Sequence, residues 1–491
     1  MSLELQSLTS QSAAALDRFA WNAICNWSKH TSVVTIYNGI DYAELTRCFL
    51  WDKVARAIRQ QTNSDQFEFD RVLPPTPLTP HPNRLKFWLK RSLKLLQMWQ
   101  DVRSLQSSQV LYVPCAHPTL QSVVKVIAQS ESITVVAPQG AFDSALNIQT
   151  IRPPLLLDLP NLAHVEALHQ GILEGLGALG VELLEPDVIV LRHQIAQLLL
   201  RTEQIETELS ILRPNAILVF ADNHFPVQSY VFVARKYAIP SIMLQHGLDC
   251  EQHCLDEAYA DVISVWGDAR LQRYQQDSTW QPSRLQANGN PEYDGLMFPN
   301  QLDRGGEYWL WTTRPHCPEK CYIPSRTPQE GIQILQALLT ALEQSPTAHL
   351  VIKPHPLDDI ALYQTYINAH PLSDRVTLST GLVRSLIPNA SVVISEDSTV
   401  GLEAMFFGKV VIHAHFAVSD PVLPFVKYNA ALPGFSPETL QTSLQQIEQL
   451  SEKQQQDLLE GQRQFLQQYA GVCDGKAQER VTSMIQTILE Q

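Results

Sequence analysis

The sequence predicts two doubly wound α/β domains in tandem, each an open parallel sheet covered by helices, and three observations predict it. At 491 residues the chain exceeds what one hydrophobic core usually serves. From residue 110 onward, short β-rich apolar runs alternate with helical stretches. The alternation then pauses at Gly289, Asn290 and Pro291, a turn of the kind that separates domains, and restarts. With 45% hydrophobic and 18% charged residues, the chain has the composition of a folded globular protein.

In chain order, the start MSLELQSLTSQSAAAL has no basic segment followed by an apolar one, so no secretory signal is read. No apolar run approaches the ~18 residues of a membrane span, so the expected location is the cytoplasm, with the eight cysteines mostly reduced thiols. Residues 69–84 are too proline-rich for regular structure and read as a loop. Residues 85–99 carry Lys86, Lys90, Arg91 and Lys94, no acid, and Phe87, Trp88, Leu89, Leu95 and Trp99. Such a helix can lie on an anionic membrane surface, placing the protein at the periphery of the inner membrane; the alternative is a packed helix with a solvated basic face. VLYVP (110–114) and ITVVAP (133–138) flank one helical stretch, and AILVFAD (216–222) and SIMLQHG (241–247) flank another, giving two βαβ units. The second series runs YWLWTT (308–313), a helix over 328–343, HLVIKP (349–354), SVVIS (391–395), a helix near 399–407 and VVIHA (410–414). A glutamine-rich tail from about 438 reads as helices. The expected domains are 1–290, with a helical N-terminal extension, and 291–491, which includes the terminal helices.

In open α/β sheets ligands bind beyond the carboxyl ends of the strands. Polar residues gather at those ends: Asp222 and His224; Gln245 and His246; Thr312, Thr313 and Arg314; Lys353 and His355; Glu396, Asp397, Ser398 and Thr399. Lys353 and His355 each precede a proline, which biases them to extended backbone and makes a rigid basic pair suited to a leaving phosphate. Ser398 and Thr399 stand where a helix begins, an anion site by its free N–H groups and dipole. Glu403, one turn on, is placed to accept hydrogen bonds from a ribose. A plain helix cap is the bland alternative for Ser398, Thr399 and Asp222, and a hydrogen-bonded core histidine for His246. The formal net charge of −14 excludes a general electrostatic grip on nucleic acid.

KPHP with SEDSTVGLEAMFFGKVVI, LQHG with ADVISVWG, and ANGNPEYD resemble bacterial surface-polysaccharide glycosyltransferases of the GT-B fold. The capsule-synthesis Kdo transferases are nearest, with CDP-glycerol glycerophosphotransferases and bacterial sialyltransferases as more distant cousins. The resemblance spans roughly 210–480. It implies two Rossmann-type domains facing across a cleft, the first on the acceptor side and the second holding the nucleotide sugar. It also implies that His355, Pro356, Ser398 and Thr399 contact the donor's cytidine nucleotide, and that Glu403 binds ribose. Through the Trp-His-Gly motif of the glycerophosphotransferases it points to His246 as base, although Gln245 stands where that motif has tryptophan. No match to the sialyltransferase Asp-Asp-Gly motif is found.

The expected activity is an inverting transfer from a nucleotide-activated sugar, CMP-linked by preference with UDP or CDP as alternatives, to a surface glycan or glycolipid. His246 or Asp222 would be the base, and Lys353 and His355 would face the leaving group. Alternatives are a non-catalytic nucleotide-sugar or glycan-binding protein, a phospho-alditol transferase, and a nucleotide-sugar epimerase. No cofactor is expected, the nucleotide sugar being substrate. With no Asp-x-Asp at a strand end, no metal is expected either; Cys250/Cys254 and Cys317/Cys321 could bind zinc only if their loops met.

Overall fold

The computed structural model describes residues 13–62, 83–105, 109–130, 132–143, 146–157, 159–248, 258–276, 284–314, 328–356, 358–416 and 421–490. The proline-rich segment expected to be a loop falls almost wholly outside these residues, as do both cysteine pairs.

Two parallel sheets organise the chain. The first has seven strands: β1 (Gln109–Tyr112), β2 (Ile133–Pro138), β3 (Gln149–Ile151), β4 (Ala216–Val219), β5 (Ser241–Leu244), β6 (Val262–Val265) and β7 (Arg284–Ala287), in the order β3-β2-β1-β4-β5-β6-β7. The second has six: β8 (Tyr308–Thr312), β9 (Leu350–Lys353), β10 (Val376–Leu378), β11 (Ala390–Ser395), β12 (Val411–Ala414) and β13 (Leu432–Gly434), in the order β10-β9-β8-β11-β12-β13. Strands β4, β5 and β6 are buried at every residue, as expected of short apolar runs, broken only by Ser241 and Ser264, in a sheet covered on both faces. The two predicted doubly wound domains are therefore present.

Strand order reverses beside β1 in the first sheet and beside β8 in the second, so each domain has its crevice between its first and fourth strands. Register sharpens the second crevice. Thr312 pairs with Lys353 on one side and Ser395 on the other, so three chains leave the sheet at one level.

Helices α1 (Ala13–Asn26) and α2 (Arg47–Gln61) pack on each other and join the first domain's core with the 28-residue helix Glu185–Leu212. Arg56 ties α2 to that helix through Asp187 (2.6 Å) while also pairing with Asp52 (3.0 Å), so the buried cation has two carboxylates. Helix α3 (Arg84–Arg103) follows and runs toward β1.

The end of the chain departs from the sequence expectation. The sequence places every terminal helix in the second domain, yet Ala477–Leu489 crosses back. It buries Val481, Met484, Ile485, Ile488 and Leu489 against Leu111, Val113, Leu120, Val123 and Val135 of the first. The Asp294 carboxylate accepts both Ala477 N–H and Gln478 N–H at 2.8 Å, so the interdomain linker caps the returning helix. Its apolar face has the same period wherever it docks, and only the linker reveals the destination.

Candidate functional site

The first crevice gathers three imidazoles. His117 opens the helix Pro118–Ile127 after β1, where its Nδ1 accepts the Thr119 N–H at 3.3 Å. Its ring stacks on Phe220, which follows β4, with centroids 4.4 Å apart. His246 follows β5, with its ring 5.5 Å from His117 and 5.3 Å from His224.

The Nδ1–H of His246 donates to the Phe220 carbonyl at 2.8 Å, because a carbonyl can only accept. The lone pair is therefore on Nε2, which no described residue takes. Burial, reinforced by His224, His117 and Arg270, holds the His246 pKa well below its ordinary value. Burial also pushes His224 down to about 4 and lowers His117. All three rings are neutral near pH 7, and His246 presents the acceptor form of a general base.

Gln245 sets this loop. Its side chain donates to the Gly247 carbonyl at 2.7 Å and accepts the Trp266 N–H at 2.8 Å, while its own carbonyl accepts the Trp266 indole N–H at 2.8 Å. An amide, donor and acceptor at once, makes both side-chain contacts possible where the glycerophosphotransferase motif has tryptophan.

Asp222 has another employment. Only 1% exposed, it accepts the Tyr259 N–H (2.6 Å) and Ala260 N–H (2.9 Å) through Oδ2, bracing the chain that leads into β6. Burial raises its pKa in spite of those amides. A buried carboxylate committed to backbone N–H groups is a poorer candidate base than His246 with its unengaged Nε2.

In the second crevice, the Thr313 hydroxyl donates to Asp358 Oδ2 (2.7 Å) and accepts the His355 N–H (2.9 Å), which locks the Lys353–Pro354–His355–Pro356 turn onto β8. Lys353 Nζ donates to the Pro354 carbonyl at 2.9 Å, leaving two of its three N–H donors for an anion. Arg314 donates its backbone N–H to Glu396 (3.3 Å) and its guanidinium to Asp397 (3.4 Å).

Asp397 is the hub of this side. It accepts from His413 Nε2 (3.0 Å), His415 Nδ1 (2.9 Å) and the Leu423 N–H (3.0 Å). Burial acts to raise its pKa, but the two imidazole hydrogen bonds and the His413 and Arg314 charges outweigh it, and the carboxyl is held far below the usual range. Its neighbour Ser398 caps the helix Thr399–Phe406, accepting the Val400 N–H at 3.3 Å. Gly401 in the first turn has no room for a side chain: a Cβ there would lie 2.9 Å from the Phe425 ring. Glu403 is paired with Arg384 at 2.9 Å, and Arg384 also reaches Glu292 (3.4 Å) and lies over the Tyr293 ring. The carboxylate expected to meet a ribose is thus oriented by an arginine.

Among the described residues, a hydrogen bond joins the two crevices: the Leu248 N–H, two residues beyond His246, donates to the Thr399 hydroxyl at 3.3 Å. His246 is thereby brought to the same cleft as Ser398 and Thr399. The sequence reading passed over His117, Arg384, His413 and His415. His117 carried a signal, since CAHP after β1 repeats the His-Pro spacing of KPHP after β9. Arg384 sits on a one-turn helix, Val383–Leu386, with no motif around it.

Residues 227–418 match the family model described as capsule polysaccharide biosynthesis protein. Of the candidate site residues, His117, Asp222 and His224 precede that span and the others lie within it. Among curated proteins, Protein FixF of Sinorhizobium fredii is 40% identical over 76 residues, which are 15% of this chain and 18% of that protein's length. Among solved structures, S. aureus MnaA with UDP superimposes with a TM-score of 0.51 at 16% identity, covering 79% of this chain and 97% of that one. A putative UDP-N-acetylglucosamine 2-epimerase from Listeria monocytogenes gives 0.49 at 14% identity, covering 78% and 97%. At such identity the likeness to MnaA speaks for the fold alone, a GT-B-like pair of domains, and the capsule polysaccharide biosynthesis model is what residues 227–418 are similar to.

Proposed function

We propose that this protein is an inverting, metal-independent glycosyltransferase that moves a sugar from a nucleotide-activated donor to a surface glycan or glycolipid at the cytoplasmic face of a membrane. In this reading residues 1–290 are the acceptor side and 291–491 the donor side. A CMP-sugar is the preferred donor, with UDP- and CDP-sugars as alternatives. The observation that supports the reading is the hydrogen bond from the Leu248 N–H to the Thr399 hydroxyl, which ties the loop that carries His246 to the helix start capped by Ser398.

His246 Nε2 takes the proton of the acceptor hydroxyl as that oxygen attacks the anomeric carbon. The bond from that carbon to the phosphate oxygen breaks in the same displacement, so configuration inverts. The departing nucleotide keeps the electron pair, and Lys353, His355 and the Ser398–Thr399 helix start stabilise its phosphate. Thr313 and Arg314 hold those groups in register, and Glu403, steadied by Arg384, accepts from the ribose hydroxyls.

A thermal-shift panel of CMP, CDP, UMP, UDP and GDP tests the donor side, since a ligand that binds only the folded state raises apparent stability by mass action. The expected result is stabilisation by CMP or CDP that is lost in His355→Ala. A preference for UDP discards the cytidine donor, and no shift with any nucleotide sinks the reading. Product formed without acceptor would point to epimerisation.

A further inference from the structure

Among the described residues, helix α3 is held to the fold along one side. Met98 is buried, and Asp101 accepts from the Arg152 backbone N–H (3.0 Å), Nε (2.9 Å) and Nη2 (2.5 Å), which fastens the helix beside edge strand β3. On the opposite side, Leu85, Trp88, Leu89, Leu93, Leu96 and Trp99 are 43 to 72% exposed. Their spacings of three, one, four, three and three residues put them on one face at 3.6 residues per turn, a stripe about 21 Å long.

The charge on this helix is as uneven as its apolarity. It carries six cations (Arg84, Lys86, Lys90, Arg91, Lys94 and Arg103) and one acid, the Asp101 already bound to Arg152, so its net is +5 in a chain of −14. Lys86 and Lys90 lie along one edge of the stripe and are exposed. Arg91 lies 5.3 Å from the Trp88 ring centroid and Arg103 5.2 Å from that of Trp99. Indoles and cations thus stand side by side, the pairing suited to the level of lipid headgroups.

We propose that α3 seats this stripe in the headgroup region of an anionic lipid surface, with Lys86, Lys90 and Arg103 against the phosphates. Charge decides between occupants. A second copy docked symmetrically on the same face would bring two helices of +5 together, whereas anionic headgroups complement the rim and acyl chains the stripe. The inference goes beyond the transferase reading, since lipid binding requires no nucleotide.

The test is co-sedimentation of the full chain with vesicles of phosphatidylcholine alone and of phosphatidylcholine mixed with phosphatidylglycerol, without nucleotide and at rising salt. Two variants accompany it, Leu89→Ser with Leu96→Ser, and Lys86→Glu with Lys90→Glu. All four side chains are exposed, so an unchanged Tm confirms that the fold is kept. The expected result is binding that needs phosphatidylglycerol, weakens with salt, and falls about tenfold or more in each variant. Equal binding to both vesicles, indifferent to charge reversal, would overturn the proposal. So would no binding at all, and a dimer abolished by the serine variant would then assign the stripe to a second copy. The transferase reading stands or falls separately, on the nucleotide panel.

Discussion

His246 concentrates the chemistry of the first crevice in one atom. With Nδ1 donating to a carbonyl, removal of the ring should cost the base without costing the donor site. His246→Ala is expected to lower kcat by about 10² to 10⁴, with the nucleotide-induced thermal shift intact; unchanged kcat would remove His246 from the mechanism. The sign of the pH effect follows from its neighbours. Because the folded pKa is depressed, the unprotonated, active form persists well below pH 6.5, and the acid limb of kcat against pH should lie below that value. The strand-end candidates were legible as residue types because polar groups interrupt apolar runs. Their partners were not: nothing around Asp222 announces that Tyr259 and Ala260 will occupy it, or around Glu403 that Arg384 will.

Among the elements, the helix Ala477–Leu489 makes the most unexpected contribution. Ile485, fully buried, belongs to the core beneath β1 and β2 although hundreds of residues separate them in sequence. Ile485→Ala is expected to cost about 2 to 5 kcal/mol in urea unfolding. The loss should appear as faster amide exchange in Val110–Tyr112 and Thr134–Val136 of the first domain; protection lost only in the second would refute this packing. Strands such as AILV, SIML and LVIK could be read from sequence because buried central strands are short continuous β-rich runs. QTI, VTL and LPG could not: each is three residues at or next to a sheet edge, where register comes from a neighbour rather than from its own pattern. The basic helix was legible as amphipathic, but which of its faces would be left uncovered depended on Asp101 finding Arg152.

At the scale of the molecule, the domains meet where the chain crosses outward near Gly289 and returns near Gly471. Both glycines have positive φ, +84 and +95. A Cβ on Gly471 would lie 2.4 Å from the Trp266 carbonyl oxygen and 3.2 Å from Gly289 Cα. Gly471→Ala is expected to lower stability by about 1 to 3 kcal/mol and to change the small-angle scattering profile, as the two crossings are forced apart; an unchanged profile and Tm would show that the crossing tolerates bulk. The two-domain plan was visible from the restarting βα alternation, while the return crossing was not, because a helix's sequence does not name the sheet it will cover. That return has a mechanical consequence. Two bodies tethered at adjacent points keep one soft rotation, about the line through the tethers. A rotation of that kind has Gly289 and Gly471 at its fulcrum, with the Trp266–Tyr293 ring contact close by, and its displacement would grow with distance from that line, so the lips of the cleft are expected to travel farther than its root.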